Sequence, residues 1–278
     1  VRHRPGMYIG GTDERAFHHL AAEILDNSMD EAVAGHANWI EVNLEAANTL
    51  SVKDNGRGIP TDPHPKFPDK SALEVIMTTL HAGGKFSGKA YQTSGGLHGV
   101  GASVVNALSV SLEVEVARER TLFGQKFSRG LPVGPIETLG AAPNRRGTLI
   151  RFTPDEQIFG AGCRFKPATL FKMVQAKAYL FAGVEIRWRC DPALLTGQDI
   201  IPAEADLCYP GGLADYVNDT TKDKGLLLAQ PFADIIELEG QKFEWALTWL
   251  AFGEDGFFHS YCNTVPTPLG GTHEAGFR

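Results

Sequence analysis

Three polar side chains recur at helical spacing near the start of the chain. Glu23, Asn27 and Asp30 fall within about 60° of one another on a helix of 3.6 residues per turn, with Asp26 and Glu31 beside them. An acid one turn before an amide carbonyl is what a water-activating base next to a hard-cation ligand requires. The same pattern also suits the solvated side of any amphipathic helix. Asp54 shares strand parity with Leu50 and Val52, so a carboxylate points inward just before Asn55-Gly56-Arg57-Gly58-Ile59-Pro60. A buried charge needs a partner. Asp54 therefore either caps the following turn or accepts a hydrogen bond from a ligand, for instance from an exocyclic amine.

Ser94-Gly95-Gly96-Leu97-His98-Gly99-Val100-Gly101 runs directly into a helical stretch, which offers free backbone N–H groups and a positive helix end to a phosphate chain. It is not a Walker loop, because no G-K-[ST] follows its glycines, and no convincing dinucleotide-binding strand precedes Ser94. Lys85, after Gly83-Gly84, either adds a cation to such a site or is simply solvated. The nine histidines show no H-E-x-x-H spacing and no Ser-His-Asp arrangement is indicated, so metal-hydrolase chemistry has no support.

The elements that must hold these residues follow from periodicity. Phe17, Ala21, Ile24, Leu25, Met29 and Ala32 define the buried side of a helix from Phe17 to Gly35, with Gly35 as its stop. Ile40, Val42 and Leu44, then Leu50, Val52 and Asp54, alternate as half-buried strands. Ser71 and Glu74 form a capping-box pattern for a second helix reaching His81. Ala102 to Leu108 reads as a buried helix. Strands follow at Val110 to Ala117, with Val110, Leu112, Val114 and Val116 on one face, and at Thr148 to Thr153, with Thr148, Ile150 and Phe152 on one face. Lys166 to Leu180 reads as a helix and Val184 to Cys190 as a strand. This is an α/β layer with one face of a sheet covered. A proline- and glycine-rich stretch between Asp191 and Gly212 marks a domain boundary, giving domains of 1–205 and 206–278. In the second, Leu213 to Val217 reads as a short helix. Phe232 to Phe252 reads as a hairpin turning at Gly240, with Phe243, Trp245, Leu247 and Trp249 on one face.

Composition limits the class. With 278 residues, 43% hydrophobic and 21% charged, the chain is globular, and disorder, collagen and coiled coil are excluded. No apolar run approaches the roughly 20 residues needed to cross a bilayer, so no membrane association is expected. Four dispersed cysteines, without a C-x-x-C pair, suggest neither a zinc site nor a disulfide framework and fit a reducing cytoplasm. A net charge of −7 gives the bulk surface no bias toward nucleic acid.

Taken together the segments resemble the GHKL ATPase superfamily of type II topoisomerases, the large heat-shock chaperone, sensor histidine kinases and MutL proteins. Glu23 to Ala32 resembles its first motif, Asp54 to Pro60 its second, Gly95 to Gly101 its ATP lid and Arg146-Gly147-Thr148 its fourth. Arg4-Pro5-Gly6-Met7-Tyr8-Ile9-Gly10, His81 to Phe86, Ser94 to Gly101 and Gly270-Gly271-Thr272-His273 are similar to the B subunits of bacterial type II topoisomerases. Trp245 to Leu250 and Ser260-Tyr261 ahead of Asn263 to Thr267 are more similar to the topoisomerase IV branch than to the gyrase branch.

The resemblance implies an α+β fold: a Bergerat-type ATPase α/β sandwich followed by the start of a transducer domain like ribosomal protein S5 domain 2. It implies ATP and Mg²⁺ as cofactors. Glu23 would be the general base, and Asn27 would ligate Mg²⁺ and bind ATP. Asp54 would accept from the adenine amine, with Thr148 supporting it through a water. Arg57, Gly58 and Pro60 would border the adenine, and Lys85 with the backbone of Gly96, Leu97, His98, Gly99, Val100, Gly101 and Ala102 would hold the phosphates. Arg118 would lie at the pocket mouth, where inhibitors bind in the family. Implied partners are the topoisomerase IV A subunit in an A2B2 complex, a second copy of the B subunit, and DNA. The family's N-terminal arm would precede Val1 and its γ-phosphate lysine would follow Arg278, so weak hydrolysis and poor dimerisation are expected of this stretch, and no complete topoisomerase activity. Two other readings are a gyrase B-type module and a nucleotide-holding clamp of the same fold without efficient turnover. Glu23 weighs against the clamp.

Overall fold

The computed structural model describes residues 1–82, 101–196, 201–239, 241–251, 253, 256–262, 264–267 and 269–278. They divide into two compact units, one of Val1–Val174 with Val184–Leu207 and one of Gln175–Gly183 with Cys208–Arg278.

The first unit is built on a nine-stranded mixed sheet. Strand Trp39–Glu45 pairs antiparallel with Thr49–Asp54 and parallel with Glu185–Cys190, which in turn pairs with Glu204–Leu207. On the other side Thr49–Asp54 pairs with Gly147–Pro154, then Ser109–Arg118, then Thr121–Ser128. Leu131–Pro132 and Glu137–Ala141 both pair with Thr121–Ser128. Ile40, Val42, Leu44, Leu50, Val52, Ile150 and Phe152 turn one face of the sheet into the core, as their period of two requires.

Helix Glu14–Val33 lies on that face. Asp13 caps it by accepting from Ala16 N at 2.9 Å. Every residue of the expected apolar stripe is buried, from Phe17 to Ala32. Gly35 ends the helix with φ +74° and donates to Ala32 O. Helices Ala72–Thr78 and Gly101–Ala107 pack against each other, the second also against helix Glu14–Val33.

Three local expectations change, and one region carried no expectation. The capping box at Ser71 is half formed: Ser71 Oγ accepts from Glu74 N, but the Glu74 carboxylate goes to Lys70 and Gln125. That helix also stops at Thr78. Val110 leaves the buried face because the register shifts between Ser109 and Ser111, a bulge that turns one residue outward. The strands within 121–141 have no counterpart in the apolar periodicity. Gly124 and Gln125 interrupt the alternation there, and Gln125 is buried because its amide donates to Glu74 and to Gly134 O.

In the second unit, helix Leu213–Thr221 packs on the hairpin Phe232–Leu238 and Gln241–Leu247. The second strand ends at Leu247, so Trp249 falls outside the alternation and is exposed. Tyr179 and Tyr209 stack with ring centroids 3.7 Å apart, and the Tyr179 hydroxyl donates to Asp219. Lys177 is buried and donates from Nζ to Thr264 O and Oγ1.

Candidate functional site

The polar side of helix Glu14–Val33 is only partly open to water. Asp30 and Ser28 are buried, and Glu23, Asp26, Asn27 and Glu31 are half-buried. This face meets the end of strand Thr49–Asp54, the loop after it, and the start of helix Gly101–Ala107.

Asp54 is the hub at one end. Its register partner is Ile40, which confirms the inward parity. Oδ2 accepts from Ser28 Oγ at 3.0 Å, and Oδ1 accepts from Gly56 N at 2.8 Å and Thr148 N at 3.3 Å. Burial raises the Asp54 carboxyl to about 6 in spite of these three donors, and the Glu31 charge adds to the rise. A carboxylate held this way is an acceptor poised near neutrality.

Two glycines make that packing possible. Gly147, at φ +109°, brings its Cα so near the Asp54 carbonyl that any Cβ would overlap it. A Cβ at Gly56 would meet Asp54 Oδ1 and Glu31 Oε2, each at 2.9 Å. The loop is pinned from outside by Arg57, which donates to Glu31 through its backbone N, Nε and guanidinium nitrogen at 3.1, 3.1 and 2.7 Å. Gly58 takes φ +79° against Val116. Its carbonyl accepts from Arg118 at 3.2 Å, so the expected rim residue does touch the loop. Ile59 N donates to Thr148 Oγ1 at 3.2 Å, and Pro60 is exposed beyond it. Thr148 thus reaches Asp54 directly, through its backbone N–H.

Glu23 is the hub at the other end, about 7.5 Å along the helix axis from Ser28. Its Oε1 lies 3.1 Å from His19 Nε2, one turn back. The hydrogen bond to Glu23 raises the His19 imidazole above 6.5; burial opposes this, and the Glu23 and Asp26 charges reinforce it. Gly101 approaches Glu23 so closely that a Cβ there would collide with Oε2. Ala102 follows, half-buried, and Asn27 sits one turn beyond Glu23. The remaining expected phosphate contacts, Lys85, Gly96, Leu97, His98, Gly99 and Val100, lie outside the described residues.

Three participants were given no role in the sequence-based site. His19 had a legible signal in its i, i+4 spacing to Glu23. Ser28 and Glu31 lay inside the first motif, but nothing in their spacing told which strand they would meet. Among the described residues no cluster of three or more His, Cys, Asp or Glu could hold a metal ion, and no helix is long and apolar enough to cross a membrane.

Comparison with known proteins shows the family. Residues 12–158, just over half of the chain, match the family described as histidine kinase-, DNA gyrase B-, and HSP90-like ATPase, and residues 212–278 match the DNA gyrase B family. The chain is 62% identical over 283 residues to the B subunit of DNA topoisomerase 4 from Caulobacter vibrioides, covering all of this chain and 40% of that protein. It is 44% identical over 281 residues to the B subunit of DNA gyrase from Halalkalibacterium halodurans, covering all of this chain and 42% of that protein. The chain therefore spans about two fifths of the length of these relatives. Among solved structures, the 43K ATPase domain of Thermus thermophilus gyrase B, in complex with an aminocoumarin, superposes with a TM-score of 0.84 at 38% identity, covering all of this chain and 69% of that one. The chain belongs to the histidine kinase-, DNA gyrase B- and HSP90-like ATPase family, among the ATPase regions of the bacterial type II topoisomerase B subunits.

Proposed function

We propose that this chain is the ATP-binding and hydrolysing module of a topoisomerase IV B subunit, with domain 1–205 carrying the nucleotide and 206–278 beginning the transducer. The observation that carries the reading is the pair of hubs along the polar face of one helix: a buried acceptor, Asp54, at the strand end held by Ser28, and a carboxylate held by His19, Glu23, on the helix itself.

Asp54 accepts from the adenine amine, and Thr148, Gly58, Arg57 and Pro60 shape the rim around the base. Glu23 takes a proton from the attacking water, with His19 fixing the orientation of its carboxylate. Backbone N–H groups from Gly96 to Ala102, with Lys85, hold the phosphates. Catalysis is then mainly positioning and charge stabilisation. Mg²⁺ suits the donor set. An ion that keeps waters and substrate phosphates needs few protein oxygens, and the Asn27 amide, one turn from Glu23, supplies one. The ion would neutralise charge on the phosphates when bound.

Within the longer protein this module would close an ATP-gated dimer of B subunits, held with A subunits as A2B2, to pass one DNA duplex through another in the cytoplasm. Decatenation and chromosome segregation follow from that role. Arg118 at the rim makes the pocket a candidate antibiotic target. The 44% identity to a gyrase relative favours one other reading, a gyrase module; the full-length protein with its A-type partner distinguishes them by decatenating or by supercoiling DNA.

The test is calorimetry of a non-hydrolysable ATP analogue, with and without Mg²⁺, on the wild-type chain and on Asp54→Asn. Binding weakened by about 1–3 kcal/mol, the cost of one lost buried partner, supports the adenine site. Equal binding by both proteins would assign Asp54 to structure alone.

A further inference from the structure

Helix Gly101–Ala107 touches Glu23 at its first residue, and its last residue is held by a cluster that the proposed chemistry does not use. Arg2 donates to Ala107 O at 3.0 Å and to Asp155 Oδ2 at 2.8 Å. Arg129 donates to the same Oδ2 at 2.8 Å. Asp155 Oδ1 accepts from Gln157 N at 3.0 Å, and Asp155 N donates to Leu108 O at 2.9 Å. Gly130, at φ +90°, packs so that a Cβ would lie 3.2 Å from Ala107 Cα. Ser109 Oγ donates to Val105 O at 2.7 Å.

Three remote parts of the chain thus converge on one helix end: the N-terminal segment through Arg2, a hairpin turn through Arg129 and Gly130, and the end of strand Gly147–Pro154 through Asp155. The carboxylate is almost wholly buried, and both cations reach it from partly exposed positions. Burial alone would raise its pKa, yet Gln157 N–H and the two arginines together hold it below the ordinary value. Charge-assisted bonds of this kind fix geometry as well as adding energy. Arg2 also places a positive charge where a helix end is negative.

A seven-residue helix is about 10 Å long and does not bend without breaking its ladder. Movement at Ala107 is therefore delivered to Gly101, which has no slack against Glu23. We infer that Asp155, bridging Arg2 and Arg129, is a positioning residue for the hydrolytic site: it locks the far end of helix Gly101–Ala107 and so sets Gly101 and Ala102 against the Glu23 carboxylate. This rests on the proposed ATPase reading.

The test compares Asp155→Asn and Arg2→Gln with wild type, and with Arg164→Gln as a neighbouring control whose arginine pairs with Glu156 instead. Two readouts are taken below each variant's melting temperature: the kcat and KM of ATP hydrolysis, and the backbone amide resonances of Gly101 and Ala102. Asp155→Asn is expected to lower kcat at least ~10-fold with KM changed less than threefold, and to shift the Gly101 and Ala102 resonances, while Arg164→Gln does neither. Should Asp155→Asn not fold, Arg2→Gln decides by the same measures with a smaller effect. A folded variant with kcat within twofold of wild type, or with Gly101 and Ala102 unmoved, overturns the inference. If the wild-type chain lacks ATPase activity, the ATPase reading fails separately, and the resonances still report whether the clamp controls the helix.

Discussion

Ser28 and Asp54 are joined by a 3.0 Å hydrogen bond between two buried side chains, one on a helix and one at a strand end. This bond ties the polar helix face to the sheet, and it offsets part of what burial costs the Asp54 charge.

The raised Asp54 pKa has a signed consequence for stability. A carboxyl that titrates near 3.8 in the unfolded chain and about 6 in the folded one keeps its proton longer when folded. Folding is then progressively penalised as pH rises from about 4 to 6, and the penalty is constant above that, at roughly 2–3 kcal/mol. Asp54→Asn cannot titrate. Urea unfolding at about pH 4.5 and about pH 7.5 should show the wild type losing stability relative to the variant at the higher pH. A pH-independent difference would mean that Asp54 titrates alike in both states.

Gly147→Ala should damage both fold and site. The residue would be held at φ +109°, where backbone strain costs roughly 1–3 kcal/mol, and its methyl would overlap the Asp54 carbonyl. Thermal melting should fall markedly, and analogue binding should be lost in the protein that remains folded, because Thr148 N can no longer reach Asp54. Normal binding at an unchanged melting temperature would contradict this geometry.

Gly101→Ala separates activity from stability. The methyl overlaps the Glu23 carboxylate and lies 3.2 Å from Glu23 Cβ, so the carboxylate must be displaced, while alanine itself suits a helix better than glycine does. We expect the fold to survive and hydrolysis to fall by about 10²-fold, the lower range for a displaced general base. Steady-state rates alongside melting curves check this, and an unimpaired enzyme would show that Glu23 needs no close neighbour.

Glu23→Gln should abolish turnover while sparing analogue binding. It should also move the His19 imidazole back toward 6.5, since Glu23 is the largest of the groups that lift it. The titration can be followed through the ring proton resonances. A His19 that titrates unchanged would mean that the pair is not formed in solution.

Strand period two made Asp54, Thr148, Ile150 and Phe152 legible as inward residues, and helical spacing made the Glu23–Asn27 pair legible. Both are local regularities of the chain. Val110 was not legible because a bulge obeys no period, and Gln125 was not because a polar residue in a core is explained only by a partner 51 positions away. The Arg2–Asp155–Arg129 cluster is harder still, being assembled from three segments whose spacing in sequence carries no pattern. The polar helix face was read correctly as polar, but only the fold shows which strand end and which loop it meets.

The parallel pairing of Trp39–Glu45 with Glu185–Cys190 makes assembly of this unit depend on chain contributed late. The adjacent hairpin, Trp39–Glu45 with Thr49–Asp54, closes over a short turn and can form early, with Asp54 already at its end. Thr148 must then arrive from far along the chain before the acceptor is fully held. Pairings of such separation are slow. During synthesis, the ability to retain nucleotide would therefore emerge only after the strand ending at Pro154 has docked, so that ligand retention reports the arrival of that strand.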